Sequence, residues 1–358
     1  MERKEIVSLF LKAGVLLRQE ELEQLSMLGD VEIAEIAGAQ EPKAELAKRA
    51  ARFKFDVIKS LTSKPAKITA ELQHRFLNSR YEKMKTIASQ RIAHSMVSIN
   101  RLPTGGEVFI AGIVRDVRES GKTIVEIEDP TGSVAVIFKE KPDVRLDEFV
   151  TVRATIARRI IFGKELLYPD IPIRKASEGN GRGCFISDLH LEEAPYADAR
   201  RLAAAISAEN VDWVFVSGDV GDVRLYEEII GDTQTFVIPG EADTEDKYPM
   251  LPLEVKSPRA IALSNPAVIR TGGLNILLCH QFELSMLRKR HLGPSEVILE
   301  DDFLALDCVP DIVGHGHDHK PLVSNYKATT LVNAGSLLTR AAPVIVDFCS
   351  RQWKQLKV

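Results

Sequence analysis

Gly316-His317-Asp318-His319-Lys320-Pro321, with Asn333-Ala334-Gly335-Ser336 beyond it, is the stretch on which the reading of this chain turns. It follows the run Asp311-Ile312-Val313, which reads as a buried strand. Two histidines two residues apart point to one side of an extended segment, or fan around a common point in a loop. Either way they can share a metal site. Four segments upstream repeat the pattern of an apolar run that ends in a carboxylate or an imidazole.

Cys184-Phe185-Ile186-Ser187-Asp188-Leu189-His190 ends a strand in Asp-x-His, and Trp213 to Asp222 ends one in Gly218-Asp219. Phe236-Val237-Ile238-Pro239-Gly240-Glu241-Ala242-Asp243 repeats the design, and Ile276-Leu277-Leu278-Cys279 ends in His280. Glycine before a carboxylate lets the backbone turn tightly and offers the side chain. Sites in α/β sheets are built on loops at strand ends. Each segment is weak alone, because a single histidine is ordinarily a surface or satisfied core residue. Together they offer Asp188, His190, Asp219, Glu241, His280, His317 and His319. Mixed carboxylate and imidazole donors suit Mn²⁺, Fe²⁺ or Zn²⁺. Seven donors are too many for one ion and suit two that share a carboxylate, an arrangement that clamps a phosphate for in-line attack. His74, His94 and His291 fit no such pattern.

The chain has 358 residues, enough for two or three domains, with 45% hydrophobic and 27% charged residues. No run approaches the roughly 18 apolar residues of a membrane-spanning helix, and the N-terminus lacks the apolar core of a signal peptide. A cytoplasmic protein without membrane contact is expected. Cys184, Cys279, Cys308 and Cys349 read as buried reduced thiols.

Residues 1–40 carry helical periodicity, with Ile6, Leu9, Phe10, Ala13 and Leu17 on one stripe and Leu22, Leu25 and Leu28 on a second. So short a helical module should have to pack on something else. Residues 41–95 read as a basic linker with helices, broken at Lys64-Pro65. Between 43 and 94 there are 13 Lys or Arg against 4 Asp or Glu. That excess suits either a solvated linker or a surface for nucleic acid or an acidic partner. The scarcity of aromatics argues against base stacking.

From about 96 to 175 the period changes to two. Strands are expected at Glu107–Val114 with a bulge at Gly112, at Thr123–Glu128, Ser133–Phe138 and Glu148–Ile156, and around Ile160-Ile161 and Leu166-Leu167. Five short strands with tight turns suit a small closed barrel of the oligonucleotide-binding type. After a polar junction at Lys175–Arg182, strand-like runs alternate with helical stretches through residues 183–358.

The ordered motifs of residues 183–340 resemble the calcineurin-like metallophosphoesterases, whose sequence runs Asp-x-His, Gly-Asp-x-x-Asp, Gly-Asn-His-Asp, a lone His, then Gly-His-x-His. The resemblance implies that Asp188, His190, Asp219 and His319 hold one metal. It implies that Asp219 bridges, and that Glu241, His280 and His317 hold the other. Gly314-His315-Gly316-His317 also fits the last motif, but Lys320-Pro321 and Asn333-Ala334-Gly335-Ser336 favour the later register.

Phe76-Leu77-Asn78-Ser79-Arg80-Tyr81-Glu82-Lys83-Met84, then Arg91, then Ile127-Glu128-Asp129-Pro130-Thr131-Gly132 in the barrel, is similar to the small-subunit family of archaeal family-D DNA polymerases. That resemblance implies a multidomain α+β protein. An oligonucleotide-binding barrel is followed by an α/β phosphoesterase domain, a β-sandwich flanked by helices, with a small helical N-terminal module. It implies a 3′→5′ proofreading exonuclease and two divalent ions, Mn²⁺ before Mg²⁺, Fe²⁺ or Zn²⁺. The implied partners are the large catalytic subunit and DNA, as a single-stranded 3′ end or a primer-template. The rival readings are an inactive scaffold subunit with a relic metal site and a stand-alone phosphoesterase.

One departure stands out. Glu241 occupies the family's Asn position and Ala242 the position of its catalytic histidine. Alanine transfers no proton, and losing a general acid costs roughly 10²–10⁴ in rate. Asp243, without its usual neighbour, is expected to be solvated, and His315 is a conceivable substitute for the missing imidazole.

Overall fold

The structure is a computed structural model and describes residues 1–26, 30–44, 46, 54–63, 68–231, 233–339 and 341–357. Three helices open the chain: α1 (Arg3–Lys12), α2 (Gln19–Ser26) and α3 (Asp30–Gly38). Ile6, Phe10, Leu25, Ile33, Ile36 and Leu46 bury themselves against one another. The helices therefore hold a core of their own, which the sequence reading did not expect of so short a piece. Leu28 and the Lys64-Pro65 break lie outside the described residues.

The basic stretch is not only linker and helix. Phe55–Lys59 forms strand β1, and Ala70–Arg91 forms helix α4. Thr69 caps α4 by accepting from the Leu72 amide at 3.1 Å. Leu72, Phe76, Arg80, Met84 and Ala88, four residues apart, make its buried face. Several of the basic side chains are used inside the molecule. Lys59 reaches the carbonyls of Phe303 and Ala305 at 3.1 and 2.6 Å. Arg80 donates to the Asp147 carbonyl at 2.9 Å and stands 3.5 Å from the buried carboxylate of Asp302. Lys83 donates to the Asp302 carbonyl at 2.9 Å. In this way α4 joins the barrel to the C-terminal domain.

The barrel consists of β2 (Gly106–Glu119), β3 (Thr123–Asp129), β4 (Gly132–Phe138), β5 (Phe149–Ala157) and β6 (Ile160–Leu167). It closes in the order β2-β3-β4-β6-β5, with β4 and β6 parallel and every other pair antiparallel. Val108, Ile110, Val125, Ile127, Val136, Val152 and Ile161 fill it, at the alternate positions that face inward along a strand. The register shift in β2 falls between Val114 and Asp116, not at Gly112. Gly112 serves close packing instead: a β-carbon there would lie 2.5 Å from Ile127 Cγ2.

The C-terminal domain is a sandwich of two six-stranded sheets. Its strands are β7 (Arg182–Ile186), β8 (Trp213–Ser217), β9 (Gln234–Ile238), β10 (Ala260–Ala262), β11 (Ala267–Thr271), β12 (Leu274–Leu278), β13 (Ile312–His315), β14 (Leu322–Tyr326), β15 (Thr329–Asn333), β16 (Val344–Asp347) and β17 (Trp353–Gln355). One sheet runs β10-β9-β8-β7-β16-β17 and the other β1-β11-β12-β13-β15-β14. Strand alternation divides the apolar residues between two faces. Phe185, Phe215, Phe236, Ile276, Leu278 and Ile312 meet between the sheets. Cys184, Ile186, Val214 and Val216 face the other way, onto Leu202, Ile206 and Tyr226 of helices α5 (Tyr196–Ser207) and α6 (Val223–Ile230). Outside the second sheet, Leu277, Val313 and Leu331 pack on Leu304, Leu306 and Leu287, the last from helix α7 (Leu284–Lys289).

Strand β1 adds an edge to this sandwich from before the barrel, antiparallel to β11, with Phe55 opposite Thr271 and the Phe55 ring edge-on to Phe236 at 5.0 Å. Of the cysteines, Cys184 and Cys279 are buried as expected, but Cys308 is half-buried and Cys349 exposed; all four are free.

Candidate metal centre

Five strands deliver the seven candidate donors to one rim of the sandwich. The loops after β7, β8 and β9, three parallel neighbours in one sheet, carry Asp188 and His190, Asp219, and Glu241. The loops after β12 and β13, parallel neighbours in the other sheet, carry His280, and His317 with His319.

The seven fall into two groups. Asp188, His190, Asp219 and His319 offer donor atoms within 4.8 Å of one another, and so do Glu241, His280 and His317. His317 and His319 therefore do not share one cluster; the loop between them, with φ of 74° and 54°, sends them to adjacent ones. Asp219 joins the groups, its Oδ2 lying 3.7 Å from His190 Nε2 and 3.2 Å from His280 Nε2. His319 Nε2 is 3.3 Å from His190 Nε2 and 3.4 Å from Asp188 Oδ1. Glu241 Oε2 is 3.1 Å from His280 Nε2 and 3.3 Å from His317 Nδ1.

The backbone is strained to achieve this. Asp188, His190, Asp219, His317 and His319 all have positive φ, between 43° and 74°. Such conformations cost about 1–3 kcal/mol each and persist where the surroundings over-determine them. The surroundings here are a lattice of backbone bonds. The amides of Asp188 and His190 donate to the carbonyls of Gly218 and Asp219, each at 3.0 Å. The His317 amide donates to Asp188 Oδ1 at 2.9 Å, and the Ala242 amide to Asp219 Oδ1 at 3.0 Å. Glycine is required where loops cross side chains. A β-carbon on Gly316 would lie 2.4 Å from Asp188 Oδ2, and one on Gly218, at φ 88°, would lie 2.5 Å from His280 Nδ1.

His280 tests whether these donors suit a cation. Its Nδ1 lies 2.8 Å from the Ser217 carbonyl, which only accepts, so Nδ1 carries a proton. Its Nε2 is buried, finds no hydrogen bond among the described residues, and faces the carboxylates of Asp219 and Glu241. Burial pulls the imidazole down, but the two carboxylates outweigh it and push it up to about 10. The two carboxylates thus favour positive charge at this point, which either a proton or a cation ligated by Nε2 would supply. Burial also raises the Asp188 carboxyl. Burial opposes the charged form of Asp219 as well, yet the adjacent His280 imidazole and the bond from the Ala242 amide hold its carboxyl below the usual range.

The sequence reading missed several supporting residues. Asp243 is not solvated: it accepts from the amides of Gly221 and Gly240, both at 2.8 Å, and pins their loops together. Asp222 caps α6 by accepting from the amides of Arg224 and Leu225. His315 belongs to neither donor group; its ring is half-buried beside Phe282 and within 3.4 Å of Asn333 Nδ2. Gln281 hydrogen-bonds Glu241, and only its place next to His280 pointed to it. Of the unmatched histidines, His291 pairs with Asp302, His94 stacks on Phe109 and His74 bonds Asn78.

Residues 182–349 match the calcineurin-like phosphoesterase superfamily domain. Over a wider span the chain is similar to proteins named DNA polymerase II small subunit. That of Methanothermobacter thermautotrophicus is 28% identical, over 79% of this chain and 76% of the relative. That of Halobacterium salinarum is 26% identical, over 72% and 66%. The chain is a homologue of these archaeal small subunits. The small-subunit homologue also matches a solved structure described as a novel archaeal phosphodiesterase at 16% identity, over 49% of this chain and 99% of that one, with a TM-score of 0.37. Its candidate donors all lie inside the phosphoesterase match, whereas the similarity to the small subunits extends beyond it. No helix among its described residues is long and apolar enough to cross a membrane.

Proposed function

We propose that this protein is the small subunit of an archaeal replicative DNA polymerase, that it binds the large catalytic subunit, and that its sandwich rim is a dinuclear 3′→5′ exonuclease site. The observation that carries the reading is the pair of donor groups joined by Asp219, in a homologue of polymerase small subunits. Asp188, His190, Asp219 and His319 would hold one divalent ion, and Asp219, Glu241, His280 and His317 the other. When bound, such a pair supplies Lewis acidity to a phosphodiester and lowers the pKa of water. Mn²⁺ suits the mixed oxygen and nitrogen donors.

The chain's own groups prepare that chemistry. Ser217 holds the His280 ring with Nε2 turned inward. The Ala242 amide keeps Asp219 Oδ1 occupied, leaving Oδ2 between the two groups. The strained loops fix the donors before any substrate arrives, and preorganised electrostatics is a large share of catalytic power. The chain lacks an imidazole at residue 242 to protonate the leaving oxygen. We therefore read the exonuclease as slow.

The barrel supports the same reading. Its strand order and single parallel pair are consistent with the oligonucleotide-binding type. The α4 clasp sets it beside the phosphoesterase domain as one platform for a partner chain and for DNA.

The test is Mn²⁺-dependent release of mononucleotides from 3′-labelled single-stranded DNA, with and without the large subunit. Slow 3′→5′ release that Asp219→Ala abolishes is expected. Bound metal with no release in either state would make the protein a scaffold subunit. Release that the large subunit leaves unchanged, together with failure to co-purify with it, would make it a stand-alone phosphoesterase.

A further inference from the structure

The second donor group is the more exposed of the two. The side chains of Glu241 and His317 are 44% and 51% accessible, while His280 is fully buried. An exposed glutamate has three side-chain torsions to immobilise before it can serve as a ligand, at a cost that reaches about 1.5–2 kcal/mol. Glu241 is also longer than the Asn that the resemblance places there, and it carries a charge that Asn lacks. Something must hold it.

Gln281 is placed to do so. Its Nε2 donates to Glu241 Oε1. The other oxygen, Oε2, is the one that meets His280 Nε2 and His317 Nδ1. The same amide nitrogen lies 3.5 Å from His317 Nε2, the outer nitrogen of that ring. Turning the amide over would set its oxygen against a carboxylate, so the orientation is fixed by charge. One exposed side chain thus touches the outer atoms of two of the three donors, and the backbone that carries it follows directly from the third, His280.

We infer that Gln281 is a positioning residue for the second ion. It keeps Glu241 a one-oxygen ligand by occupying Oε1, and it steadies His317 from behind. The inference rests on the dinuclear reading above and adds to it what makes Glu241 workable in place of Asn. Partners behind metal ligands typically contribute 10–100-fold to metal affinity. The pairing also explains why glutamate is tolerated there, since its extra oxygen has a dedicated donor.

The experiment is a calorimetric Mn²⁺ titration of the full chain, with electron paramagnetic resonance of the bound ion, for wild type, Gln281→Met, Glu241→Asn and the double variant. Gln281→Met keeps the length and removes the amide, and its exposure makes unfolding avoidable; thermal melting of the metal-free protein checks that. The expected result is two Mn²⁺ sites in wild type, with the weaker one lost by ~10–100-fold in Gln281→Met and the tighter one unchanged. In the Glu241→Asn background the Gln281→Met change should have a smaller effect than in wild type, since only its contact with His317 remains to be lost. Two wild-type sites with equal affinities in Gln281→Met would overturn the role of Gln281. Fully additive losses in the double variant would overturn the pairing of Gln281 with Glu241. Absence of Mn²⁺ binding by wild type would instead overturn the dinuclear reading itself.

Discussion

His280 donates through Nδ1 to the Ser217 carbonyl at 2.8 Å, and that bond decides which nitrogen faces Asp219 and Glu241. Ser217 ends β8 in one sheet, and His280 follows β12 in the other. A hydrogen bond between the two layers of the sandwich therefore sets the ligand geometry.

The first prediction concerns stoichiometry. Asp219→Ala should lose both ions, because its Oδ2 faces both donor groups. His190→Ala should weaken mainly one ion and His280→Ala the other. Elemental analysis after Mn²⁺ loading and desalting reads the count directly. Two ions retained by Asp219→Ala would show that it does not bridge.

The second concerns Ala242. Its methyl group is exposed, and its amide already bonds the Asp219 carboxylate at 3.0 Å. Histidine at 242 should raise single-stranded DNA cleavage within the ~10²–10⁴ range of general acid catalysis, with metal content unchanged. If Glu241 disturbs the ion spacing, the gain should need Glu241→Asn as well. Wild type as fast as the double variant would mean that alanine is no defect.

The third concerns Gly218. Alanine there brings a β-carbon to 2.5 Å from His280 Nδ1, in a backbone conformation of positive φ. Gly218→Ala should displace the ring, empty the second ion site, and cost about 1–3 kcal/mol. Urea unfolding and metal analysis of the same sample check both effects. Unchanged occupancy would mean that the loops can yield where they look rigid.

The fourth is a pH dependence. Asp302 is fully buried between His291 and Arg80. Burial opposes its charge, yet His291 and Arg80 bring its carboxyl from 3.8 to about 2. A carboxyl depressed in the folded state stabilises above its unfolded value, and that stability is lost as pH falls through the folded value. The contribution is roughly 2 kcal/mol, lost between about pH 4 and pH 2. Asp302→Asn should cost about 3–5 kcal/mol at neutral pH by stranding Arg80, and its deficit against wild type should narrow across that window. A deficit independent of pH would show that the carboxylate charge is not what Arg80 needs.

The donor set was legible because each ligand type follows an apolar strand, and strand ends are visible as a change of periodicity. Barrel strands were legible for the same reason, through their alternation and turn residues. The hidden parts depend on contacts between distant segments. Phe55–Lys59 looks like basic linker because only Phe55, Val57 and Ile58 are apolar, and its pairing with β11 lies more than 200 residues away. Asp243 looked solvated because its partners are the backbone amides of Gly221 and Gly240, which leave no mark in composition. Gln281 had no signal beyond its neighbour. The spacing of His317 and His319 does not specify the loop torsions that divide them between two groups; only the resemblance to the phosphoesterases implied that division.

Strand β1 has a mechanical consequence. The chain enters the sandwich at Phe55–Lys59, leaves it for α4 and the barrel, and re-enters at β7. Residues 106–167 are thus a parenthesis opened and closed within the phosphoesterase fold, moored to it by two covalent lines. One line ends on the edge of one sheet, and the other ends in the interior of the second. A fragment cut to begin at residue 182 would bare the β11 edge and uncover the Phe236 ring, inviting strand-to-strand association. Load applied to the barrel by a bound partner would reach both layers of the sandwich together.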